Sequence, residues 1–100
     1  MAGAKAEYRL APKAREDMEA VWLHSLAQWG ASQSEQYIED LTEAFEFLAD
    51  NPKAGTACDQ IRQHYRRHPV IRHVIYYRAT NYGIEVMRIL HDRMLAARHL

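Results

Sequence analysis

The stretch HYRRHPVIRHVIYYR, residues 64–78, holds four arginines, three histidines, three tyrosines and no acid. Guanidinium forks pair with carboxylate or phosphate, and tyrosine stacks on unpaired bases or anchors protein interfaces. Two chemistries are therefore open: recognition of an acidic or nucleic-acid partner, and cleavage of RNA. Cleavage needs a base, an acid and cations set against the charge that develops on phosphorus. Arg67, Arg78 and Arg88 are candidate cations, and His91, ending the last strand, is a candidate acid. A nuclease would draw on Arg67, Arg88 and His91, but no base completes the set. Glu85, the only carboxylate on the last strand, is expected on the core side near a turn. His73 and His91 are expected opposite each other on neighbouring strands. A metal needs a further ligand, and none is evident, so two half-buried, locally hydrogen-bonded histidines are the simpler expectation. There is no GxSxG, HExxH or glycine-rich phosphate loop. Cys58, the one cysteine, has no CxxC or Cys/His ligand spacing and reads as incidental. No cofactor is expected.

The charge distribution sharpens the question. The chain has 13 basic and 13 acidic side chains and is formally neutral. Yet Glu16 to Pro52 contains nine acids and no lysine or arginine, while Ile61 to Leu100 contains eight arginines and two acids. Such asymmetry fits an acidic or nucleic-acid partner, or one half of the fold neutralising the other. The 100 residues make one domain, 1–100, and 48% hydrophobic content argues for a folded globule. No apolar run is long enough to span a membrane, the N-terminus lacks a secretory h-region, and a single cysteine fits a reducing cytoplasm.

These side chains must be positioned by a small set of elements. AEYRLA alternates as a short first strand. Pro12 opens a helix whose stripe is Ala14, Met18, Val21, Trp22, Ser25 and Trp29, and Gly30 ends it. Both tryptophans are expected in the core. Ser32 and Glu35 make a capping box for a second helix with Ile38, Leu41, Phe45 and Leu48 inward and Glu39, Asp40, Glu43, Glu46 and Asp50 outward. The two helices form an antiparallel hairpin. Residues 53–62 read as irregular loop, and a strand near Tyr65–His68 is expected to break at Pro69. IRHVIYYRAT and IEVMRILH are two further strands, joined through NYG with Gly83 in a bulged turn. Thr80 facing Ile84 would put Ile71, Ile75, Tyr77, Met87 and Ile89 on the core face. Arg72, Val74, Tyr76, Arg78, Val86, Arg88 and Leu90 would share the other face, left uncovered by the domain itself and open to a partner. The fold class is α+β: an N-terminal strand and an antiparallel helical hairpin packed on a C-terminal antiparallel β-meander.

That order of elements, at this length, resembles the RelE/ParE toxin superfamily, and its details resemble the ParE branch. The segments carrying the resemblance are YRLAPKAREDMEAVWLHSLAQWG, AFEFLADNPKAG, YRRHPVIRHVIYYR, IEVMRILHDRM and the terminal RHL, from Tyr8 to Leu100. The resemblance implies a toxin of a type II toxin–antitoxin module that inhibits DNA gyrase and is neutralised by a ParD-like antitoxin. It implies no membrane and only indirect contact with DNA, through the antitoxin. The alternatives are a RelE-like ribosome-dependent mRNA endonuclease and an inactive binding module. The ParE branch has no agreed catalytic residues, so none is carried over. On this resemblance the antitoxin would dock on Tyr65, Arg66, Arg67, Arg72, Val74, Tyr76, Arg78, Val86, Arg88 and Leu90. His91, Arg93, Met94 and Arg98 are the candidates for the target. One departure is visible: Ala11 stands where similar sequences often place a serine helix cap.

Overall fold

The computed structural model describes residues 5–100. The elements, in chain order, are β1 (Glu7–Leu10), α1 (Pro12–Trp29), α2 (Ala31–Asp50), β2 (Thr56–Ala57), β3 (Arg66–Val70), β4 (His73–Ala79), β5 (Gly83–His91) and a short 3₁₀ turn at Ala96–Arg98. The strands form one five-stranded sheet in the order β1-β5-β4-β3-β2. β1 runs parallel to β5, and all other neighbours are antiparallel. This is the expected α+β architecture, with β2 added from a stretch expected to be loop.

α1 begins and ends where Pro12 and Gly30 place it, and Ala11 provides no side-chain cap. The link to α2 is Gly30 alone, at φ 85°. The expected Ser32–Glu35 box does not form, because α2 starts at Ala31 with Gly30 as its N-cap. Ser34 is the buried serine instead, donating to the Trp22 carbonyl at 3.1 Å and letting the helices approach. The tight link also turns Trp29 outward. It is 43% exposed rather than in the core. Glu39, Glu43, Glu46 and Asp50 line the solvated face of α2 as expected.

The core lies between the helical hairpin and one sheet face. Val21, Tyr37, Leu41, Phe45 and Leu48 pack against Ile75, Tyr77, Ile84, Val86 and Ile89. Tyr77 is fully buried with its hydroxyl satisfied: it donates to the Pro52 carbonyl and accepts from the Gly55 N–H, both at 2.8 Å. β3 continues through Pro69. β2 pairs only with Arg66 and Arg67, so at position 69 the outer edge of β3 has no ladder and the missing N–H costs nothing.

The β4–β5 register is as expected over the four pairs from His73↔His91 to Tyr76↔Arg88, and then slips. Tyr77 faces Val86, so Met87 is the extra residue of a β-bulge. The cause is non-local. β1 ends opposite Val86, and the Ala11 N–H donates to the Val86 carbonyl at 2.9 Å as the chain turns into α1. Beyond that point Asp17 of α1 takes over the edge of β5, accepting from the Ile89 N–H at 3.0 Å. The bulge lets Ile84, Val86 and Ile89 all enter the core despite their mixed parity. Val86 is therefore a core residue and Met87 only half-buried, which corrects the expected division of faces. Glu85 moves opposite Arg78 rather than to the core side. Ile71, expected inside, lies in the β3–β4 turn and is exposed. The turn at the other end of β4 depends on Gly83, at φ 145°, where a Cβ would collide with the Glu7 carbonyl oxygen.

Candidate partner-binding surface

The second sheet face is not bare. Tyr76, Leu90 and Cys58 form a small second core, covered by Ile61, Tyr65, Val74, Ala96 and Leu100. The expectation of an uncovered arginine-rich face is thus corrected. The irregular segment after β2 and the chain after β5 fold over its middle. Tyr76 and Leu90 are buried and Val74 is half-buried within this cluster, while Val86 is buried in the core on the other face.

The arginines divide by environment. Arg88 is tied into the fold: its Nε and Nη2 donate to Asp17 at 2.8 and 3.0 Å, and its Nη1 donates to the His99 carbonyl at 2.9 Å. Both side chains of that pair are nearly buried, 16% and 15% exposed, and the Asp17 hydrogen bonds raise the Arg88 pKa further. Here the acidic and basic halves of the chain do neutralise each other. Arg66 is half-buried, donating to the Gly55 carbonyl at 2.8 Å. Arg78 lies at the surface, paired to Glu85 at 2.6 Å, a partner the bulge supplies. Arg67, opposite Tyr76, is exposed with no carboxylate within ion-pair distance among the described residues. Tyr65, Arg66 and Arg78 line one polar groove with His64 and Asp59, about 420 Å³ in volume. Arg67 stands on the strand beside it. These residues and Arg72 are the parts of the expected antitoxin surface that remain accessible.

Arg72 sits at the opposite end of the sheet, in the β3–β4 turn. It lines a more apolar groove of about 390 Å³ with Trp29, Gln36, Tyr37, Asp40 and Ile71. Sequence reasoning passed over this groove. The signal for Tyr37 was present, four residues before Leu41 on the buried stripe of α2. Nothing in the sequence marked Ile71 as a turn residue.

The nuclease candidates do not converge. Arg67 and Arg88 flank Tyr76 from opposite sides, but Arg88 is held by Asp17. His91 pairs with His73 at the far end of the strands, ring centroids 5.3 Å apart. Its Nδ1 lies 3.0 Å from Asp92 and accepts the Arg93 N–H at 3.2 Å. His73 is half-buried with its Nδ1 2.6 Å from the Tyr37 hydroxyl. Burial, and then the neighbouring His91, lower its pKa from 6.5 to about 4, so it is neutral at pH 7. Among the described residues no group of three or more His, Cys, Asp or Glu is placed to hold a metal. Cys58 is buried, which raises its thiol pKa and keeps it unreactive. Arg93, Met94 and Arg98 are exposed beyond β5. The arrangement offers docking surfaces.

The comparisons agree along almost the whole chain. The family described as "ParE toxin of type II toxin-antitoxin system, parDE" matches residues 8–96. Toxin ParE1 of Mycobacterium tuberculosis (strain H37Rv) is 41% identical over 96 residues, covering 95% of this chain and 98% of that protein. Toxin ParE1 of Caulobacter vibrioides is 34% identical over 93 residues, covering 93% and 96%. A solved structure titled "Chromosomal ParDE TA system from P. aeruginosa" superposes with a TM-score of 0.74 at 18% identity, over 89% of this chain and 98% of that one, which supports the fold. No helix among the described residues is long and apolar enough to cross a membrane.

Proposed function

This chain belongs to the ParE toxins of type II toxin–antitoxin systems, and on that premise we propose that it inhibits DNA gyrase in the cytoplasm by binding, and is neutralised by a ParD-like antitoxin. The match across residues 8–96 carries the reading. The scattered positions of Arg67, Arg88 and His91 support binding over catalysis, because RNA cleavage needs acid, base and cation around one phosphate. Contact with DNA comes through the antitoxin. The antitoxin arm lies along the polar groove of Tyr65, Arg66 and Arg78 and across Arg67, and its carboxylates meet the exposed guanidiniums. Tyr76 and Leu90, packed with Tyr65, and Arg88 beside them support that surface from beneath, while Val86 belongs to the core on the other face. Induction of this chain alone in bacteria tests the reading, with DNA supercoiling and message integrity followed separately. Growth arrest with disturbed supercoiling and intact message is expected, reversed by co-expression of the antitoxin from the adjacent reading frame. Early message cleavage with normal supercoiling would overturn it.

A further inference from the structure

Ile71 is at odds with its own position. It is β-branched, sits at φ 53°, and is 71% exposed. The left-handed region crowds a β-branched side chain, and glycine or asparagine would lie there at lower energy. An exposed apolar side chain also contributes little burial to the fold. Neither the backbone nor the core of this chain calls for isoleucine at 71. A strained residue held in place at the surface points to a demand from outside the fold.

The surroundings hold this tip rigid. The Tyr37 hydroxyl on α2 lies 3.2 Å from the Val70 carbonyl, accepts the Arg72 N–H at 3.3 Å, and also reaches His73. From the other side the Asp92 N–H donates to the Arg72 carbonyl at 2.8 Å. Beside Ile71, Trp29 is half exposed and set edge-on to Tyr37 at 6.1 Å. The Arg72 guanidinium stands at the rim with no carboxylate within ion-pair distance among the described residues. Asp40, which lines the same groove, accepts from Gln36 at 3.0 Å. Tryptophan, arginine and an aliphatic knob on a rigid support are the make-up of a binding hot spot, with little ordering entropy left to lose.

We propose that the Trp29–Ile71–Arg72 tip is the anchor by which this chain grips its protein target, a folded protein offering an apolar pocket for Ile71 bordered by a carboxylate for Arg72. The proposal rests on the reading of this chain as an inhibitory toxin. A preformed tip suits a folded partner, whose surface cannot reshape, whereas an antitoxin arm that orders on binding can mould itself to what it covers. The free guanidinium fixes the sign of the partner's charge. The tip and the arginine groove lie at opposite ends of β4, so the two contacts are separable by mutation. The segment carrying Arg93 and Met94 leaves the sheet at the same end as the tip, where Asp92 meets Arg72.

Ile71→Gly is the sharpest test, because glycine accepts the backbone conformation and removes only the knob. Its thermal midpoint should equal or exceed that of the wild type. Its affinity for purified DNA gyrase should fall by about tenfold to a hundredfold, with growth arrest lost in parallel, while affinity for the cognate antitoxin stays unchanged. Trp29→Ala and Arg72→Glu should move the same way. Wild-type gyrase affinity and wild-type growth arrest in Ile71→Gly would overturn the proposal. Equal losses toward gyrase and antitoxin would also overturn it, by placing the tip in the antitoxin interface. A wild-type chain that neither arrests growth nor binds gyrase overturns the functional reading itself, and this assignment with it.

Discussion

Asp17→Ala is expected to be among the most damaging single changes on α1. The Asp17 carboxylate receives three N–H groups: Nε and Nη2 of Arg88, at 2.8 and 3.0 Å, and the backbone N–H of Ile89, at 3.0 Å. Removing it leaves a nearly buried guanidinium with the His99 carbonyl as its remaining partner, and an edge N–H with none. Breaking a buried ion pair by deleting one member costs about 3–5 kcal/mol. Some water reaches this pair, at 16% and 15% exposure, so we expect about 2–4 kcal/mol. In a domain of this size that lowers the thermal midpoint by roughly 10 °C or more. Urea unfolding should show a lower midpoint with an unchanged slope. The double change Asp17→Leu with Arg88→Met should sit closer to the wild type than Asp17→Ala alone, because no orphaned charge remains. An Asp17→Ala protein within about 0.5 kcal/mol of the wild type would show that the Asp17–Arg88 pair does not hold the fold, since a shift that small is typical of surface substitutions. It would return Arg88 to the list of side chains free to meet a partner.

Three further outcomes are expected. Ala11→Ser should raise stability by about 0.5–2 kcal/mol by capping an orphan N–H of α1, read as a higher denaturation midpoint. Arg78→Ala and Arg67→Ala should leave the fold intact and weaken antitoxin binding by about tenfold or more, mostly through faster dissociation in a titration and kinetic assay. Stability should also fall as pH drops from about 6.5 toward 4. His73 stays neutral in the fold down to about 4, while the unfolded chain takes up its proton near 6.5, so acid favours unfolding. The full shift corresponds to about 3–4 kcal/mol, which solvent screening of the half-buried ring reduces to about 1–3 kcal/mol, and His73→Gln should flatten it in a pH series of unfolding curves.

What could be read from the sequence followed the range over which each signal acts. Pro12 and Gly30 are local punctuation, and they set both ends of α1. The alternation in β4 and β5 gave the pairs near His73 and His91, because cross-strand periodicity is also local. The register failed beyond Tyr76, because the bulge at Met87 answers to where β1 ends and Asp17 begins, some seventy residues earlier in the chain. The covered outer face failed for a related reason. Ile61, Ala96 and Leu100 come from irregular segments with no periodicity to follow, yet they bury Tyr76 and Leu90. That error carried into the candidate site, where Arg88 looked free and is committed to Asp17. Ser32 had the right spacing for a cap, but the one-residue link at Gly30 started α2 two residues earlier. Ile71 was the least legible, since its residue type argues against the conformation it holds.

On the proposed function the toxin inhibits gyrase by binding, without cleavage of RNA. The most direct test mixes the purified chain with DNA gyrase, relaxed plasmid and ATP, and in parallel with translating ribosomes and message. Inhibition of supercoiling should saturate with toxin concentration, be reversed by the cognate antitoxin, and leave the message intact. Undisturbed supercoiling together with ribosome-dependent message cleavage, lost in His91→Gln, would contradict the proposed function.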